Sequence, residues 1–209
     1  MNNKDRYIEL LKSTNRVGID KLIDNLEHSD FFKAPASTVY HSNFEGGLLQ
    51  HSLNVYDCLK KMCDDYLPKR YSDDTIIIVA LLHDLSKKDY YEKIVRNQKL
   101  YKPNGSKHDE MGNFEWVAVS SYGIRQKEVR YVGADHGTNS VLLSRNYIEL
   151  SDEEIIAIIN HHAGMDNCFV NKDLDEIYNR FPLAMMLHLA DMQATYLLEN
   201  KILQNESIH

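Results

Sequence analysis

Apolar residues recur at helical spacing along most of this chain. Residues 16 to 28 carry Val17, Ile19, Leu22, Ile23 and Leu26, a stripe that predicts an amphipathic helix. Residues 31 to 44 are short and irregular, with Pro35, Ser37 and Thr38. Gly46-Gly47 then precedes Leu48, Leu49, Leu53, Val55, Leu59 and Met62, which predict a helix to about residue 66. Ser72-Asp73 is an N-cap signal for the run Thr75 to Leu82. Val141, Leu142, Leu143, Tyr147 and Ile148 form the apolar face of a helix that opens at His136. Ser151-x-x-Glu154 is a capping box for a helix through Ile155 to His162, with Gly164 as its stop. Pro182 begins a last long helix through Met185, Met186, Leu187, Leu189, Ala190 and Tyr196.

One segment breaks this pattern. Between Asp89 and Val132, Tyr90, Tyr91, Ile94, Val95, Leu100 and Tyr101 flank charged residues, and a polar Gly-Ser loop follows. Phe114 to Val119 then reads as a strand. The expected architecture is mostly α: a single helical domain over residues 1–209, with a core at about 31–197 and a small β-hairpin or flap at about 89–132. The flap holds no candidate ligand and carries Lys102, Lys107 and several aromatics, so it is expected to shape a substrate pocket.

Composition narrows the function classes. The chain has 209 residues, 43% hydrophobic and 26% charged, as in an ordinary globular protein. A net charge of −7 argues against duplex DNA as a partner, which needs a basic face. It leaves room for a small nucleotide or a short single strand. No run approaches the roughly 18 apolar residues of a membrane span, and the polar N-terminus has no signal core. Cys58, Cys63 and Cys168 form no Cys-x-x-Cys pair, so a reduced, cytoplasmic setting is expected. The oligomeric state is left open.

His83-Asp84 closes the apolar run of the helix that begins near Ser72, which sets an imidazole beside a carboxylate at a buried helix end. Buried Asp is rare unless it is paired or holds a metal. A second dipeptide, His108-Asp109, lies in a polar stretch that reads as a solvated loop. His51, His136, His161-His162 and Asp191 each sit on or beside an apolar helical stripe, so packing should gather them with His83-Asp84 inside the bundle. Imidazole and carboxylate together suit divalent Mn, Fe, Co, Ni or Zn.

The order His51, His83-Asp84, Asp191 resembles the H…HD…D signature of the HD superfamily of metal-dependent phosphohydrolases, and Lys87 completes its frequent H-D-x-x-K form. His136 and His161 match the two extra histidines of the binuclear subset. Phe32 to Val55 is similar to small bacterial and prophage HD proteins and to the HD domain of YhaM-type 3′→5′ exoribonucleases. His161-His162-Ala163-Gly164 and Leu187 to Asp191 share the second likeness. The separate OB-type module of those exonucleases is not evident, which counts against a long RNA substrate.

The resemblance implies an HD-domain helical bundle. It implies one metal at His51, His83, Asp84 and Asp191, with Asp84 bridging to a second at His136 and His161. One or two divalent ions are expected, manganese favoured. Lys87 would steady the attacking hydroxide or a phosphate oxygen. Adjacent residues of a helix diverge by about 100°, so His162 is expected to point away from the ion that His161 holds. His41, His162 and His188, with Lys87, are the remaining candidates for substrate contact. Gly46-Gly47 reads as a helix entry and close-packing device. The expected activity is hydrolysis of a nucleotide phosphoester, a phosphodiester in a cyclic or short oligonucleotide being favoured. The alternatives are a nucleoside monophosphate phosphatase and a nucleotide-binding sensor without turnover.

Overall fold

The computed structural model describes residues 1–38, 42–126, 135–162 and 174–199. Its centre is a helix that is apolar all round. Helix α4 (Asp73–Leu82), capped by Ser72 accepting from the Thr75 amide, buries every side chain from Ile76 to Leu82. Such a helix has no solvent face and must be enclosed. Ile77, Ile78, Leu81 and Leu82 face one hydrophobic cluster, with Tyr7, Leu11, Leu22, Leu26 and Leu53. Ile76, Val79 and Ala80 face a second, with Leu59, Ala157, Ile158, Leu183 and Leu187. The end of α4 therefore delivers His83-Asp84 to the seam between two cores.

Helix α1 (Asn3–Ser13), capped by Asn2, buries Tyr7 and Leu11, and the Tyr7 hydroxyl donates to the Leu81 carbonyl at 2.7 Å. The helix expected over 16–28 is α2 (Ile19–Glu27). Gly18 begins it at φ +92°, where an added Cβ would lie 1.9 Å from the Tyr147 carbonyl oxygen, and Val17 is left exposed. Helix α3 (Gly47–Tyr66) packs against α4. Helix α5 (His136–Ser144) is capped by Asp135, and α6 (Asp152–Ile159) carries the full Ser151–Glu154 capping box. A short α7 (Leu174–Arg180) leads to α8 (Pro182–Gln193), which packs on α3 and α6 and widens into a π turn over Ala194–Leu198. No helix among the described residues is long and apolar enough to cross a membrane.

Two expectations need correction. Helix α6 ends at Ile159 with Asn160 as its cap, so His161 and His162 lie in a turn beyond it. Gly164, its expected stop, lies outside the described residues. His108-Asp109 is not loop but part of strand β2 (Lys107–Asp109), because its backbone pairs with residues 112–114; Asp109 also accepts from Lys99 at 2.5 Å and Tyr101 at 2.9 Å.

The hairpin joins β1 (Tyr91–Tyr101) to β3 (Gly112–Ile124), antiparallel from Tyr91↔Ile124 to Tyr101↔Phe114, and β2 pairs on the far side of β3. Of the β1 and β3 side chains, Tyr91 and Phe114 alone are buried, so the ribbon stands off the bundle. Its root is fastened. Arg125 donates to the Tyr91 carbonyl at 2.8 Å and pairs with Asp30 at 3.3 Å, while the Asp89 amide donates to Asp30 at 2.5 Å.

Glu154 locks the N-terminal helices to α6. Besides its part in the capping box it accepts two hydrogen bonds from Arg16, whose Nη1 also reaches the Glu149 carbonyl at 3.1 Å. Burial pushes the Glu154 carboxyl up, but Arg16 and the Ser151 amide outweigh it and hold it below its usual value. A lowered folded-state pKa adds stability above the unfolded value near 4.5, which is lost as pH falls through the folded value. Glu154→Ala should cost about 3 kcal/mol near pH 7 in urea denaturation, the low end for a broken buried pair because the Arg16 side chain is 21% exposed. The gap to wild type should shrink below about pH 4. A pH-independent gap would assign the loss to packing alone.

Candidate metal centre

Four elements converge on Asp84. Helix α3 brings His51, the end of α4 brings His83, the start of α5 brings His136, and the turn after α6 brings His161 and His162. Helix α8 adds Asp191 from behind. His51, His83, Asp84, His161 and Asp191 are all buried. The two oxygens of Asp84 face different neighbours. Oδ2 lies 3.4 Å from His83 Nε2, 3.7 Å from His51 Nε2 and 2.6 Å from Lys87 Nζ. Oδ1 lies 3.7 Å from His136 Nε2 and 3.6 Å from His161 Nε2. Asp191 Oδ1 lies 3.2 Å from His51 Nε2, and its Oδ2 lies 3.1 Å from His162 Nε2.

Backbone and side-chain partners set the imidazole orientations. His83 Nδ1 donates to the Ala80 carbonyl at 2.7 Å, and His161 Nδ1 to Ile158 at 2.6 Å. Both contacts turn Nε2 of the ring inward. Nε2 of His83 lies 3.3 Å from that of His51, and Nε2 of His161 lies 3.0 Å from that of His136. Ring nitrogens gathered at such distances can share a proton or take a metal ion in its place. Asp84 Oδ2 is met by the Lys87 ammonium, but Oδ1 is fully buried and lacks a hydrogen-bond partner, a costly state for a carboxylate. The residues therefore fit divalent metal, and three overlapping ligand groups are within reach: His51, His83 and Asp84; His83, His161 and Asp191; His136, His161 and His162.

The charges respond to this crowding. Burial works against ionised Asp84, yet Lys87 and His83 hold its carboxyl well below the usual range. Burial likewise opposes a charged His51, but hydrogen bonds to Asp191 and Glu199 lift it to about 10. His161 is pushed down to about 3, chiefly by burial. Burial opposes a charged Lys87 as well, but Asp84 outweighs it and keeps the ammonium charged.

The remaining candidates divide. His162 was expected to point away, by helical divergence. Because α6 has already ended, that spacing does not apply, and His162 joins His136 and His161 at ring-centroid distances of 4.7 and 4.9 Å. His188 donates from Nδ1 to the His161 carbonyl at 2.6 Å and so buttresses the turn. His41 lies outside the described residues. Gly47 is a close-packing device, since a Cβ there would lie 1.9 Å from the Ser42 carbonyl oxygen. From the hairpin, buried Tyr91 donates to the Ala36 carbonyl at 3.4 Å and interacts electrostatically with Lys87.

Glu199 was missed. It is buried and accepts from His51 Nδ1 at 3.0 Å, Ser42 Oγ at 2.6 Å and Asn54 Nδ2 at 2.9 Å. Helical periodicity gave no signal for it, because it follows exposed Leu197 and Leu198.

Comparison with known proteins agrees with this geometry. The family model described as HD domain matches residues 48–187, which include His51, His83, Asp84, His136 and His161. A dihydroneopterin 2′,3′-cyclic phosphate phosphodiesterase of Methanocaldococcus jannaschii is 28% identical over 117 residues, 52% of this chain and 44% of the relative. The chain thus matches less than half the length of that relative. No solved structure matches. With the family match covering most of its length, the chain belongs to the HD domain family.

Proposed function

We propose that this chain is a metal-dependent phosphohydrolase that opens a phosphodiester in a small cyclic or short-chain nucleotide. The observation that carries the reading is the division of Asp84, with one oxygen toward His51 and His83 and the other toward His136 and His161. A carboxylate so divided could serve two ions at once, and a metal pair would supply the chemistry that acts on phosphorus centres. The named activity of the Methanocaldococcus relative supports a cyclic phosphodiester as the substrate class. A match over less than half of that relative makes this a proposal for the present chain.

His51, His83, Asp84 and Asp191 would hold one ion, and Asp84, His136 and His161 the other. Bound divalent ions supply Lewis acidity toward a phosphoryl oxygen and ease deprotonation of a water. The protein contributes the rest. Side chains of Lys87, His136 and His162 are 13%, 25% and 27% exposed, whereas those of His51, His83 and His161 are at most 1% exposed. Substrate therefore approaches from the side of Lys87, His136 and His162. Lys87, held charged by Asp84, stands where it can pair with a non-bridging phosphate oxygen. In the reaction a water oxygen bonds to phosphorus, one ester P–O bond breaks, and the departing alkoxide takes up a proton. From a cyclic diester the product is an open monoester.

The direct test is a screen of manganese-loaded protein against 2′,3′-cyclic mononucleotides, cyclic dinucleotides, short RNA and DNA, and nucleoside monophosphates. Turnover of phosphodiesters above monoesters is expected. Retention of metal with no hydrolysis of any of these would favour a nucleotide sensor instead.

Asp84→Ala should lose metal at both positions together, and activity should drop roughly 10³-fold or more, since several kcal/mol of charge stabilisation go with the ions. Full metal content by elemental analysis of this variant would sink the site. In His136→Ala, titration should find about one equivalent of metal against about two in wild type. A single equivalent in both proteins would leave a mononuclear centre and move the substrate toward phosphomonoesters.

A further inference from the structure

Beyond the HD match at residues 48–187, the chain places one more acid against the centre. In an unbroken α-helix Leu198, seven residues after Asp191, returns to the Asp191 face within about 20°, and Glu199 falls about 80° away. The π turn over Ala194–Leu198 takes up one extra residue, and the Glu199 amide donates to the Ala194 carbonyl at 3.0 Å. Glu199 thereby takes the place that α register gives Leu198. Leu197 and Leu198 are 57% and 46% exposed, while Glu199 is 8% exposed. Hydrophobic burial alone would favour the opposite arrangement, leucine in and glutamate out.

The buried acid is fully engaged. Ser42 is held by its carbonyl, which accepts from the Ala36 amide at 3.0 Å, and it has room only because Gly47 lacks a Cβ. Asn54 lies one turn from His51 on α3, and Gln50 fixes its side-chain oxygen at 2.8 Å, which turns the amide N–H toward Glu199. His83 and His161 rest their Nδ1 on neutral backbone carbonyls; His51 rests its Nδ1 on this carboxylate.

We infer that Glu199 is a positioning residue for the metal centre: it takes the Nδ1–H of His51 and so presents the Nε2 lone pair to the ion that His51, His83, Asp84 and Asp191 would share. The inference rests on the reading of that cluster as a metal site. A carboxylate behind a ligating imidazole fixes its tautomer and raises its basicity, and loss of such a partner weakens metal binding about 10–100-fold. The π turn is the device that brings it there.

The test uses the full chain, stripped of metal and titrated with zinc against a chromogenic chelator at one fixed pH. Glu199→Ala should lose about 10–100-fold in affinity at one of two sites and leave the other unchanged. Glu199→Gln, which still accepts the Nδ1–H but lacks the charge, should fall between that variant and wild type. In zinc-loaded wild type, ¹⁵N spectra of the imidazoles should show His51 protonated at Nδ1, and Glu199→Ala should lose that signature. Wild-type affinity at both sites in folded Glu199→Ala overturns the inference, as does an equal loss at both. Failure of both variants to fold assigns Glu199 to the core and overturns it as well. Wild-type protein that takes up no zinc removes the metal reading and this inference together, whereas unchanged affinity in the variant removes only the inference.

Discussion

A carboxylate in a protein interior is expensive, and Asp84 is buried with no hydrogen bond to its Oδ1. Its nearby positive charge, Lys87, meets one oxygen only. The remaining neighbours are imidazole nitrogens, two facing each oxygen. Much of the architecture serves to bring those groups there and hold them. A helix that is apolar from Ile76 to Leu82 carries Asp84 to the seam, and backbone carbonyls at the ends of α4 and α6 fix two of the rings. An acid from beyond α8 holds a third. Without such constraints the carboxylate would be better off in water.

The two hydrophobic clusters explain why the seam is stable. Helix α4 contributes to both, so neither half can draw away without exposing one side of it. The Arg16–Glu154 pair, its carboxylate buried, ties the same halves. The site is thus supported by packing on either side rather than by a loop.

Much of this was legible in the sequence. Capping signals at Ser72 and Ser151, Pro182 at a helix start and the stripe on α3 each act locally, and each produces the expected element. The histidines and aspartates that gather lie on apolar stripes, so burial of the stripe carries them inward. Three features were hidden. Helix α1 buries only Tyr7 and Leu11, and the worth of Tyr7 appears only against Leu81. His162 was misjudged because the helix before it stops early at Asn160, and boundaries are set by tertiary context more than by propensity. Glu199 depends on a change of helical pitch that no 3.6-residue pattern can display.

The hairpin carries a consequence for how these molecules behave when crowded. Strand β1 lies at the end of its sheet, and among the described residues nothing pairs with its outer edge. The outward-facing backbone groups of this eleven-residue strand make a template onto which another chain's strand could add. Glu92, Lys93, Arg96 and Lys99 stud that strand, so any copy docking there must strip charged side chains of water. The charges that decorate the ribbon thus act as a guard against self-assembly, and neutralising them would trade solubility for fibre-like association.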